Sequence, residues 1–206
     1  MRPVVITHPN ALEGETIAVN ALFEAGLAVL HLRKPAFREE ELESFIKQIS
    51  PQYREKIVLH THLHLVEKYG LKGVHFTGYN RSHWDEYLAK EVGVSRSLHQ
   101  LEEFSGVSER YSYVFLSPIF PSISKEGYVP RLSHATISDF LLKPRPMPVL
   151  CLGGVTPGNA SQAKQMGFDG VAVLGYIWEA FKDDAQTAGV ITRYKKICEQ
   201  WEKAVQ

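Results

Sequence analysis

Short apolar or β-branched runs recur along the chain at Val4-Val5-Ile6, Leu27 to Leu32, Ile57-Val58-Leu59, Gly73-Val74-His75, Val92-Gly93-Val94, Tyr113 to Leu116, Pro148 to Leu152 and Gly170 to Leu174. Segments with a helical period separate or follow them: Thr16 to Ala25, Glu39 to Ile49, His64 to Tyr69, Trp84 to Ala89, Leu98 to Phe104, Ser133 to Leu142, Asn159 to Met166 and Ala185 to Ala204. Eight strands alternating with helices predict a parallel α/β fold with helices covering the strands. A doubly wound open sheet would carry a glycine-rich turn after its first strand, but Thr7-His8-Pro9-Asn10 stands there. The pattern therefore predicts a single (β/α)8 TIM barrel. The proline-rich stretch from Lys143 to Pro148 reads as a stiff lead into the seventh strand, which leaves one domain over residues 1–206.

Composition narrows the partners. The 23 lysines and arginines equal the 23 aspartates and glutamates, so no global field draws the chain to nucleic acid, a membrane surface or an acidic partner. Any charged ligand must be handled locally. The two cysteines, Cys151 in an apolar run and Cys198 in a helical tail, suit reduced, buried thiols. The first ten residues lack a signal-peptide core and no stretch approaches a membrane span, so a cytoplasmic protein is expected.

In such a barrel the groups that act on substrate sit at the C-terminal ends of the strands, and the loops after strands seven and eight often bind phosphate. Strand seven leads into Leu152-Gly153-Gly154-Val155-Thr156-Pro157, where glycines let backbone amides approach an anion and a helix opens with its positive end towards it. Gly175, after strand eight, offers the second half of the cup. In strand two the period of two puts His31 and Arg33 on one face, towards the barrel mouth, and Leu30 and Leu32 on the other. There an arginine fork can grip phosphate oxygens and a histidine can move protons near neutral pH. The loop after strand six, with Ser122, Ser124 and Lys125 between prolines, suits an anion or polar ring atoms, although a surface loop without a role would look the same.

His60, His62 and His64 are spaced by two, but the run falls where a strand hands over to a helix, so a shared metal face is not expected. His60, at the strand end, is the member expected to face the mouth. His75 and His99 read as satisfied polar groups beside the core. Trp84 and Tyr87 would either serve a homo-oligomer interface or cover the barrel.

Three blocks in order, His31-Leu32-Arg33-Lys34, Ser117 to Lys125 and Pro148 to Val155, resemble the thiamin phosphate synthase/TenI family. Ser95 to His99 and Gly167 to Leu174 are similar to two further family segments. The resemblance implies a small-molecule partner, a phosphorylated thiazole, and makes a homo-oligomer an expectation. It implies that Arg33 and Lys125 hold pyrophosphate with Ser97 close by, that Ser122 and Ser124 stand near the thiazole, and that Gly153, Gly154 and Gly175 accept its phosphate.

Departures from the family pattern bear on the reaction. Thr61 and Asn80 align with the magnesium-binding aspartates of the synthase branch, and nothing places Asp85 at the ion instead. Mg²⁺ is therefore expected only if synthase activity is retained, and no other cofactor is implied. His31 matches the TenI branch, which tautomerises the thiazole carboxylate phosphate, but the histidine that this branch carries after strand six aligns with Pro118. Acid–base work would then fall to His31 or His60. TenI-like isomerisation or salvage is the favoured expectation. Thiamin phosphate synthesis and a non-catalytic regulator that binds a phosphate ligand are the alternatives.

Overall fold

The computed structural model describes residues 1–121, 132–181 and 186–203, with the backbone alone of Tyr79 and Arg81. The order is β1 (Val4–Ile6), α1 (Glu15–Glu24), β2 (Leu30–Leu32), α2 (Glu39–Lys47), β3 (Ile57–Leu59), α3 (Leu65–Lys68), β4 (Gly73–Phe76), α4 (Trp84–Leu88), β5 (Gly93–Leu98), β6 (Tyr113–Leu116), α5 (His134–Leu141), β7 (Val149–Leu152), α6 (Pro157–Gln165), β8 (Gly170–Val173), α7 (Gly175–Trp178) and α8 (Gln186–Lys203). All neighbouring strands pair in parallel, and β8 returns to β1 through Val4↔Ala172 and Val5↔Val173 to close the barrel.

Period-two alternation divides the apolar residues into two cores. Val5, Leu30, Leu32, Leu59, Val74, Phe76 and Val94 face outward and pack under the helices. Val4, Ile6, Val29, Val58, Tyr113, Phe115, Leu150 and Ala172 fill the barrel interior. Each fully buried aliphatic or aromatic side chain contributes about 1.5–3 kcal/mol of transfer free energy. Two complete layers of them explain how a chain of only 206 residues sustains this architecture.

Local chemistry sets several boundaries. The α5 helix starts at Ser133, whose hydroxyl accepts the Thr136 amide at 3.1 Å. At α6, Pro157 occupies the first turn and the Asn159 side chain accepts the Thr156 amide at 2.8 Å. The helix expected over Leu98 to Phe104 is not formed: β5 continues to Leu98, and only a 3-10 turn follows over Leu101–Phe104. The reason is alternation, since Val94 and Leu98 pack outward while the small polar Ser95 and Ser97 meet His75. Tyr87, 2% exposed, belongs to the outer core, and Trp84 stacks on Phe76 with ring centroids 5.8 Å apart, so these aromatics cover the barrel.

Candidate active site

Three histidines converge inside the barrel near the C-terminal ends of β2, β3 and β4. His31 and His75 are fully buried, and His60, one residue beyond β3, is 7% exposed. His31 Nδ1 and His60 Nε2 share a hydrogen bond of 2.9 Å, and His31 Nε2 lies 2.6 Å from the Tyr113 hydroxyl. His75 is held from both sides, Nδ1 by the Ser95 hydroxyl and Nε2 by the Ser97 hydroxyl, each at 2.9 Å. Phe115 packs against both His31 and His75, with centroids 4.7 and 4.8 Å away.

This apolar enclosure keeps the imidazoles neutral. Burial first, then neighbouring charge, holds His31 and His60 well below the ordinary imidazole value, and His75 is pushed down to about 3 by burial and by the Arg33 guanidinium. The same burial raises the Tyr113 phenol. A neutral imidazole presents one donor and one acceptor, so the tautomer of each ring is tied to that of its partner.

Two polar atoms at the end of β3 have no partner among the described residues: His60 Nδ1 and Thr61 Oγ1, both buried. Native proteins rarely leave such atoms unpaired, and when they do the cause is often a ligand or a catalytic role. The Arg33 backbone is pinned by Thr7, whose hydroxyl accepts the Arg33 amide at 2.8 Å. Its guanidinium has no ion-pair or hydrogen-bond partner among the described residues, yet lies close enough to His60 and His75 to bias both against protonation.

The expected inward face of β2 is present, since His31 points into the barrel while Leu30 and Leu32 pack outward. Lys34, by contrast, turns away from the mouth. It is buried against Glu15 and the Asn10 carbonyl, 5.4 Å from the centres of the Phe37 and Phe45 rings. A cavity of about 310 Å³ lies between α1 and α2, lined in part by Thr16, Phe37, Phe45 and Gln48, and none of the three histidines reaches it.

The histidine run after β3 separates as expected. His60 joins the cluster, His62 bonds the Phe37 carbonyl through Nε2 at 3.0 Å, and His64 pairs with Glu39 at 3.1 Å. His75 is a satisfied polar group as expected, with both ring nitrogens hydrogen-bonded, but it lies inside the barrel rather than beside the core. His99 holds the Ser117 carbonyl through Nδ1 at 2.9 Å. Sequence reasoning also passed over Ser95 and Tyr113. The usable signal was the alternation Val74-His75-Phe76 and Val94, Ser95, Ser97, Leu98, which points polar residues inward from adjacent strands.

The glycine turn follows β7, and α6 and α7 open after Gly154 and at Gly175. Ahead of the first intrahelical bond of α7, made by Ile177, the amides of Gly175 and Tyr176 have no backbone acceptor among the described residues. At Gly154, φ is +65° and a Cβ would come within 2.2 Å of the Pro121 carbonyl oxygen. Glycine is therefore required there by packing against the β6 loop, independently of any ligand. Ser122, Ser124 and Lys125 lie outside the described residues.

The positions aligned with the family's magnesium ligands do not fit that ion. Thr61 supplies a neutral hydroxyl. Asn80 is occupied by the backbone: its Oδ1 accepts the Thr77 amide at 2.8 Å, and its Nδ2 donates to the His75 and His60 carbonyls at 3.0 and 3.3 Å. Magnesium is ordinarily anchored by one or two carboxylates, and neither residue provides one.

A family model described as thiamine monophosphate synthase matches residues 3–177. A thiamine-phosphate synthase of Dictyoglomus turgidum is 26% identical over 162 residues, covering 76% of this chain and 72% of that protein. One from Laribacter hongkongensis is 24% identical over 183 residues, 86% of each chain. The solved thiamine phosphate pyrophosphorylase of Bacteroides thetaiotaomicron superposes with a TM-score of 0.84 at 30% identity, and the match covers 100% of both chains.

Proposed function

The chain belongs to the thiamine monophosphate synthase/TenI family, and from that premise we propose that it binds a phosphorylated thiazole and isomerises it by histidine acid–base chemistry. The observation that carries this reading is His60 Nδ1, a buried imidazole nitrogen with no partner among the described residues, on a ring that burial keeps neutral, so that it has either a lone pair or an N–H to offer a ligand. Thr61 Oγ1, unpaired among the described residues, is suited to a polar ring atom, and the Arg33 guanidinium, which has no partner among the described residues, is suited to an anionic group of the ligand. The thiazole phosphate is assigned to the amides of the Gly153-Gly154 turn and the Gly175 end of α7, and the family resemblance assigns Ser122 and Ser124 to the thiazole and Lys125 to an anionic group.

The names of the relatives favour a second reading, thiamin phosphate synthesis, more than they favour isomerisation. Against it stand Thr61 and Asn80, which leave the departing pyrophosphate charge to Arg33 and Lys125. Purified protein given thiazole carboxylate phosphate, with and without the pyrimidine diphosphate, separates the readings by NMR of the products. Isomerised thiazole supports the first, thiamin phosphate the second. Tight binding without either product overturns both and assigns a regulatory role.

A further inference from the structure

The hydrogen bonds joining Tyr113, His31 and His60 run in one direction. Tyr113 is 4% exposed, and its hydroxyl has one hydrogen-bond partner among the described residues, His31 Nε2 at 2.6 Å. Ser95, in register with Tyr113 across β5 and β6, bonds His75 instead. If the phenol turned a lone pair to His31, its own O–H would be left buried without an acceptor, and orphaned donors are rarer than oxygens with a spare lone pair. The short spacing also suits an O–H donor, since N–H donors settle near about 2.9–3.0 Å. The phenol therefore donates and His31 Nε2 accepts. Both rings are kept neutral by burial, so each carries one N–H. The His31 proton is then on Nδ1 and is donated to His60 Nε2 at 2.9 Å, which places the His60 proton on Nδ1. That N–H is buried and has no acceptor among the described residues. The Arg33 guanidinium lies close enough to act on the same ring. Two neighbouring groups that can only donate are completed by an acceptor that carries negative charge.

We propose that the His60 Nδ1–H and the Arg33 guanidinium together form a receptor for a carboxylate of the ligand. The inference deepens the isomerase reading above and rests on it for the rest of the ligand, whose phosphate belongs to the glycine turn. His60 keeps its proton throughout. Giving it up would leave a buried imidazolate or, relayed through His31, a buried Tyr113 phenolate, and burial disfavours both anions. His60 is therefore a donor to the carboxylate and not the group that takes a C–H proton. When such a proton leaves, the negative charge that spreads onto the carboxylate oxygens meets donors already in place. Tyr113 does not touch the ligand. It is a positioning residue, which sets the His60 tautomer through His31.

Long-range ¹H–¹⁵N correlation spectra of the ligand-free protein at neutral pH report which nitrogen of each imidazole is protonated. His31 and His60 should both be protonated at Nδ1. Tyr113→Phe removes the donor that sets the direction, so both rings should then show a mixture of tautomers. A parent protein with His60 protonated at Nε2 overturns the proposal. Calorimetry with thiazole carboxylate phosphate, and with the same thiazole phosphate lacking the carboxylate, tests the receptor. His60→Ala should weaken the first ligand roughly 10- to 100-fold and leave the second within about twofold, the range for hydrogen bonds to charged groups. His60→Asn, whose side-chain amide again offers an N–H, should restore much of the loss. Equal losses for the two ligands, or none for either, overturn the receptor. If neither ligand binds the parent, the thiazole reading fails, and sodium formate then decides on the receptor alone. At constant ionic strength against chloride, formate should shift the His60 Nδ1 resonance in the parent but not in Arg33→Ala, and no shift in the parent overturns the proposal.

Discussion

His60 and His75 stack at 26° with ring centroids 4.3 Å apart, one from the end of β3 and the other from within β4. Two imidazolium ions cannot share that spacing without water, so acid must either break the stack or be refused by it. For His75 the sign follows directly. Its pKa falls from the ordinary imidazole value to about 3 on folding, so below the unfolded value the unfolded chain binds more protons than the folded one. Its contribution is fully present above pH 6.5 and is lost as pH falls towards about 3, with a slope approaching ~1.4 kcal/mol per pH unit for this one ring. His31 and His60 act in the same direction. Urea unfolding from pH 7 to pH 4 should show a falling midpoint, and His75→Asn should flatten the dependence.

A second consequence concerns the buried Lys34–Glu15 pair, which joins the end of β2 to the start of α1. Burial pushes the amine down and the carboxyl up, towards neutrality, while their mutual contact opposes it. Removing one partner strands the other: Lys34→Met or Glu15→Leu alone should cost about 3–5 kcal/mol. The Lys34→Met/Glu15→Leu double variant should recover much of that. Denaturant midpoints of the three proteins check it, and additive losses would refute the coupling.

The barrel and its strand order were legible because the apolar runs of β1, β3 and β6 are unambiguous and the turn after β1 excludes the open sheet. The site was only half legible. His31 lies between Leu30 and Leu32 and Arg33 follows two residues on, so their shared face could be read from one strand alone. His75 lies between Val74 and Phe76 in the same way, but its importance depends on Ser95 and Tyr113, which reach it from other strands, and closure of the barrel is a long-range fact. Ser95 to Leu98 carries a weak apolar alternation, and the sequence reading began a helix at Leu98. At Lys34 the missing fact was the location of Glu15, nineteen residues earlier.

Arg33 provides the cleanest test of ligand binding, because its guanidinium has no described protein partner to lose. Arg33→Ala should weaken binding of a thiazole phosphate by about 1.5–3 kcal/mol, the range for hydrogen bonds to charged groups. Arg33→Lys should restore part of it, since the charge returns without the planar fork. Calorimetry gives both values. Equal affinity in all three proteins would make Arg33 a rim residue.

Gly154 calls for a different test from the one its sequence suggests. Gly154→Val would be expected to block phosphate, but even a Cβ meets the Pro121 carbonyl oxygen at 2.2 Å, at a φ of +65°. Gly154→Ala should therefore destabilise the fold itself by about 1–3 kcal/mol, the range for strained backbone sites. Thermal unfolding without ligand should register the loss. A variant as stable as the parent would return Gly154 to a ligand-only role.

Magnesium-dependent thiamin phosphate synthesis by the parent should be weak, and the structure refines how to test it. Neutral Thr61 and Asn80 supply no charge to an ion that gives up its water reluctantly. Restoring both acids is the obvious comparison, but the two substitutions are not equivalent. The Asn80 Nδ2 group donates to the His60 and His75 carbonyls at 3.3 and 3.0 Å, so Asn80→Asp removes two donors and sets a carboxylate against two carbonyl oxygens. That variant should lose stability and disturb the backbone that carries both imidazoles. Thr61 is different: its hydroxyl has no partner among the described residues, so Thr61→Asp breaks no described bond. With both substrates and a magnesium titration, Thr61→Asp should gain product over the parent, while Asn80→Asp should not. Vigorous magnesium-dependent synthesis by the parent, unchanged in Thr61→Asp, would show that the ion is held by other groups and would make synthesis the reaction of this barrel.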